Sequence, residues 1–130
     1  MKLCCTSVML PRWTLDETFE KLASCGYDGV ELRCRYNPDD ESAEPSFWGR
    51  HLSDVNPDNV VEKAPLIRAA AEHSDVRVAA LTPNCLLHDT ELVHKLFKGA
   101  LAIDPANPPP LRIGAPRHDR SQPYMPQFLA

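Results

Sequence analysis

The chain has 130 residues, enough for one ordinary domain. It is 43% hydrophobic and 25% charged, the balance of a globular protein without a membrane-spanning apolar run. Its net charge of −4 speaks against a nucleic-acid surface, which is usually basic.

Met1-Lys2-Leu3 lacks the apolar core of a signal peptide and leads straight into strand-like sequence. Lys2 to Met9 reads as a first strand, apolar enough for burial on both faces, ended by Pro11. Thr14 followed by Glu17 is a capping box. Leu15, Phe19, Leu22 and Ala23 then share one face of a helix that ends at Gly26, a residue suited to the left-handed position past a helix. Asp28-Gly29 signals a turn. In the strand that follows, Val30, Leu32 and Cys34 alternate with Glu31, Arg33 and Arg35. A parallel strand between helices is normally apolar on both faces, so the charged face has two readings: a polar lumen, or a solvated edge strand.

Tyr36 to Asp58 is a long polar connection containing Phe47, Trp48 and His51. Connections of that length without regular structure are often functional, and the two aromatics either cover a site or anchor the loop. A second helix runs to about His73; Asn59 and Glu62 suit an early start, but Pro65 fits best in a first turn, which puts the regular part at 65–73 with Leu66, Ile67 and Ala70 inward. Val76 to Leu81 is the third strand, closed by Thr82-Pro83-Asn84. Asp89 caps a third helix with a wide apolar stripe of Leu92, Val93, Leu96, Phe97, Ala100 and Leu101. Asp104 to Pro110 breaks it, Leu111-Arg112-Ile113 makes a short fourth strand, and Arg117 to Ala130 is polar, then weakly apolar. Prolines crowd the chain from about residue 105, marking a compositional shift and a loosely ordered end. The five cysteines are odd in number and show no Cys-x-x-Cys spacing, which predicts reduced thiols in a cytoplasmic protein, without a zinc cluster or redox pair. Strands alternating with helices imply a parallel α/β sheet.

The block Leu22-Ala23-Ser24-Cys25-Gly26-Tyr27-Asp28-Gly29-Val30-Glu31-Leu32-Arg33 resembles the opening of the xylose isomerase-like TIM barrel family, the sugar phosphate isomerases and epimerases and their endonuclease IV-like relatives. His51-Leu52-Ser53, Val78-Ala79-Ala80-Leu81 and Arg112-Ile113-Gly114-Ala115-Pro116 extend the likeness along the chain. The resemblance implies a partial (β/α)8 barrel over residues 1–130, with about four parallel strands and three helices, where a full barrel takes about 250 residues. It implies, for the full-length family, a divalent metal (Mn, Mg, Co or Zn) and proton transfer beside a carbonyl. The family's metal ligands lie on later strands, so this chain by itself has no catalytic or metal residues to which those roles carry over, and is expected to be inactive.

What remains is one wall of a substrate site for a sugar or sugar phosphate: Glu31, Arg33, His51, His88, Arg117 and His118. Each has a plainer reading, as a cross-strand pair, a loop histidine, a helix-cap neighbour or a solvated charge run. A half barrel leaves sheet edges unpaired, which makes a homodimer through those edges one way to bury them. The competing function is a non-catalytic α/β module that binds a small ligand or a protein; the endonuclease-like branch is disfavoured by the acidic balance.

Overall fold

The computed structural model describes residues 1–114. Thr14 and Glu17 start the first α-helix as their spacing predicts: the Glu17 carboxylate accepts the Thr14 N–H at 2.8 Å while the Thr14 hydroxyl accepts the Glu17 N–H. This helix, α1 (Leu15–Ser24), buries Phe19 and Leu22. Gly26 follows with φ +77, where a side chain would be strained.

Among the described residues there are three strands, β1 (Cys4–Thr6), β2 (Gly29–Arg33) and β3 (Arg77–Thr82), in the order β1-β2-β3 and all parallel. Gly29 belongs to the strand rather than to a turn. A Cβ there would meet Cys4 Sγ at 2.9 Å and the Arg77 carbonyl at 3.2 Å, so a larger residue would have to push its neighbours aside. β2 and β3 slip by one residue between Val30 and Glu31, which sets Glu31 opposite Ala80, Leu32 opposite Leu81 and Arg33 opposite Thr82.

The first strand is shorter than its sequence suggests. Thr6 accepts the Val8 N–H and turns Ser7–Met9 into a 3₁₀ turn, and β1 is an edge strand with Leu3 and Cys4 exposed rather than buried on both faces. The turn has a use: the buried Ser7 hydroxyl takes the Arg33 N–H at 2.8 Å, replacing the carbonyl that a longer β1 would have offered. The Thr82 hydroxyl donates to the Leu32 carbonyl at 3.3 Å in the same way on the other side.

The second helix, α2 (Val60–Ser74), starts before Pro65 instead of at it. Pro65 removes one hydrogen bond to the Val61 carbonyl, but both residues lie on the solvent side, where water replaces the lost donor. That start turns Leu66 outward (60% exposed), correcting its inward placement, while Ile67 and Ala70 are buried as expected. α3 (Thr90–Ile103) buries Leu96, Gly99, Ala100 and Ile103. Its stripe is narrower than predicted, with Phe97 55% and Leu101 51% exposed. The expected fourth strand is reduced to single parallel bridges, Leu81 to Leu111 and Leu86 to Gly114. The Asp89 carboxylate, expected to cap α3, instead accepts the Leu86 N–H at 2.7 Å.

α1 packs on α2 and α2 on α3. Parallel crossovers are right-handed, so strands added in one direction put every helix on one face. Phe19, Leu22, Ile67 and Leu96 meet Val30, Leu32, Cys34 and Leu81 there in one buried core. The opposite face carries Glu31, Ala80 and Arg112 and has no helical layer among the described residues. No helix among the described residues is long and apolar enough to cross a membrane.

Candidate functional site

The carboxyl ends of the strands open into a cleft of about 790 Å³. Thr6 and Thr82 line it from the strand ends, Asn84 and Asp89 from the β3–α3 connection, Arg112 from the bridged segment and Arg35 from just beyond β2. Phe47 and Trp48 form its outer wall as an edge-to-face pair with centroids 4.5 Å apart, Trp48 79% exposed. A smaller hollow of about 260 Å³ adjoins it, shared by Arg35, Phe47, Trp48 and Asn84 and backed by Arg33 and Cys34.

The strand alternation puts Glu31 on the bare face, opposite the small Ala80, and its carboxylate takes a hydrogen bond from Arg112 Nη1 at 2.9 Å. With both partners partly in solvent, this pair contributes little stability, about 0–1 kcal/mol. It does position Arg112 at the cleft wall.

Arg33 is only 4% exposed. Its guanidinium donates to the carbonyls of Arg35, Tyr36 and Gly49 and to Asn37 Oδ1, at 3.2–3.3 Å. All four acceptors are neutral, so burial holds its pKa below the usual arginine value, and the Arg35 charge adds to that. Arg33 thus folds the 36–50 connection back onto the sheet. His51 belongs to the same knot at 1% exposure. Its backbone pairs with the Asn37 side chain in both directions at 2.9 Å, and Nε2 meets the Phe47 carbonyl at 3.3 Å. That contact requires Nε2 to carry the proton and leaves Nδ1 buried without a partner among the described residues. Burial pushes the His51 pKa down, the Phe47 carbonyl opposes it, and Arg33 and Arg35 reinforce it.

The candidates therefore separate. Arg33 and His51 build the loop that carries Phe47 and Trp48; Glu31 touches the cleft through Arg112; His88 is largely exposed, Nε2 3.8 Å from Asp89 Oδ1, and lines neither hollow. Arg117 and His118 lie outside the described residues. Arg35, Arg112, Thr82 and Asn84 line the cleft but were not singled out from sequence. For Arg35 a signal existed, since it shares the alternation of Glu31 and Arg33. Burial pushes the Cys34 thiol up to about 12 and also raises Cys85, which disfavours the thiolate at both.

These elements define an α/β protein whose parallel sheet is wound in one direction, with a polar, aromatic-walled cleft at the carboxyl ends of its strands. Comparison with protein-family models, with curated proteins and with solved structures returns no match.

Proposed function

We propose that the chain is part of a (β/α)8 barrel of the xylose isomerase-like kind, and that its cleft forms one wall of a site for a sugar or sugar phosphate. One observation carries this reading. The sheet is wound in a single direction with its helices on one face, and the bare face meets a cleft at the strands' carboxyl ends. In a barrel that face looks into the lumen and those ends form the mouth; in a doubly wound sheet helices would cover both faces. The sequence likeness around Gly26 to Arg33 supports the same choice.

For the complete barrel we infer metal-dependent isomerisation or epimerisation by proton transfer next to a carbonyl. Among the described residues no three His, Cys, Asp or Glu side chains converge to hold a metal ion. No step through a metal is assigned to the described residues. Their part is to bind and orient: Thr82, Asn84 and Arg112 offer hydrogen bonds, and Trp48 offers a flat apolar face for a sugar ring. Two copies joined through the outer edge of β1 and the Leu111 segment would supply the missing wall; sedimentation over a hundredfold range of concentration is expected to show that dimer.

The test is an NMR titration of the 130-residue chain with a neutral hexose and a hexose phosphate. Perturbed amides at Trp48, Thr82 and Asn84 are expected. No response there to any sugar would overturn the reading. Stabilisation by a protein partner and by no sugar would instead favour a non-catalytic module, for which the exposed Phe97 and Leu101 offer an apolar contact.

A further inference from the structure

Arg35 leaves the sheet two residues past the end of β2. Three hydrogen bonds hold it: its backbone N–H to the Val55 carbonyl at 2.9 Å, its carbonyl from Arg33 Nη1 at 3.2 Å, and Nε–H to the Thr82 carbonyl at 3.2 Å. All three anchor the near end of the group. Among the described residues neither Nη of Arg35 has a hydrogen-bond partner, and neither Arg35 nor Arg33 has a carboxylate within ion-pair distance. The fork points to the junction of the two hollows, since Arg35 lines both, as do Asn84, Phe47 and Trp48.

Arg33 and Arg35 are neighbouring guanidiniums with no carboxylate in ion-pair contact among the described residues; Asp54 offsets part of the Arg33 charge from further off, and Asp89 lies elsewhere on the cleft wall. Arg33 donates its hydrogen bonds to neutral oxygens only, and Asp54, reached through Asn37, offsets part of the cost of burying its charge. Arg112, on the other wall, is already neutralised by Glu31, so the unmet positive charge is centred on Arg35. A planar fork of free N–H groups fits the two oxygens of a phosphate or carboxylate. A cleft of about 790 Å³ holds a molecule of monosaccharide size or somewhat larger.

We propose that Arg35 is an anion clamp: its Nη groups hold the phosphate or carboxylate of a small polyhydroxy ligand whose ring lies against Trp48, with Asn84 as the adjoining polar contact. This rests on the reading of the cleft as a sugar site and adds the requirement for negative charge, together with the residue that meets it.

Calorimetric titration of the chain with a hexose 6-phosphate, a hexuronate, a neutral hexose and inorganic phosphate tests the clamp. The anionic sugars are expected to bind at least about tenfold more tightly than the neutral one, and the stronger of the two names the anion. Arg35→Gln is expected to weaken the anionic sugars by about 10–100-fold and leave the neutral hexose unchanged. Arg112→Gln should keep the preference for charge. Equal affinity for charged and neutral sugars, or an advantage that survives Arg35→Gln, would overturn the clamp while leaving the sugar site standing. If no sugar binds, the sugar site fails, and the clamp is decided by inorganic phosphate: binding that Arg35→Gln abolishes supports it, and no binding overturns it. Circular dichroism and thermal unfolding check that the variant folds; if it does not, Arg35→Lys, which keeps the charge without the fork, is expected to bind the anionic sugars about tenfold more weakly.

Discussion

Two adjacent arginines in this chain do different work because of where the backbone sends them. Arg33 still belongs to β2 and is covered by the loop it organises; Arg35 lies beyond the sheet and opens into the cleft. Replacing Arg33 with Met keeps most of the volume but strips donors from three carbonyls and from Asn37. Urea unfolding of Arg33→Met is expected to show a loss of about 1–3 kcal/mol, because the 35–50 connection loses the four hydrogen bonds that tie it to β2. His51 gives the same loop a pH dependence. Its folded-state pKa lies below the ordinary value of about 6.5. The unfolded chain therefore takes up a proton first as pH falls, and protonation favours unfolding. The stability is complete above pH 6.5 and declines below it. Urea midpoints measured between pH 7.5 and 5.5 should fall for the wild type and stay level for His51→Gln; an equal decline in both would place the titrating group elsewhere.

Among the elements, those with local instructions were legible. The Thr14–Glu17 box and Gly26 bounded α1, and the alternation from Val30 to Arg35 predicted both faces of β2. Where tertiary packing decides, sequence reading stopped short. Pro65 argued for a late start to α2, yet Val60 is held against α3 and draws the helix forward by five residues. The site was half legible for the same reason. Alternation put three charges on one face, but which of them is buried depends on a loop returning from residues 36–50, and that contact has no local signature. The α2–α3 contact offers a direct check. A Cβ at Gly99 would lie 2.5 Å from Val60 Cγ1, and Val60 is buried and β-branched, with little freedom to turn away. Gly99→Ala should destabilise by about 1–3 kcal/mol in thermal or urea unfolding. Adding Val60→Ala should recover part of that loss, and strict additivity of the two would mean that the helices do not touch there.

For the whole molecule, the sheet's open face and its two edges matter more than any single residue. A small edge strand and a single bridged segment leave backbone groups for another strand to use, and the charges on Glu31 and Arg112 keep that surface from collapsing on itself. The winding also has a temporal side. Each later unit rests on units made before it: β2 on β1 and α1, α2 on α1, β3 on β2, and α3 on α2. Such a chain suits assembly while the ribosome is still translating, because β1, α1 and β2 pack on one another before α3 is made. Nascent chains arrested once Thr82 has left the exit tunnel are expected to resist brief proteolysis around Phe19 and Leu32, although α3 is still inside the tunnel. If protection appears only after α3 has emerged, the sheet and its helices condense together and the order of synthesis has no bearing on how they form.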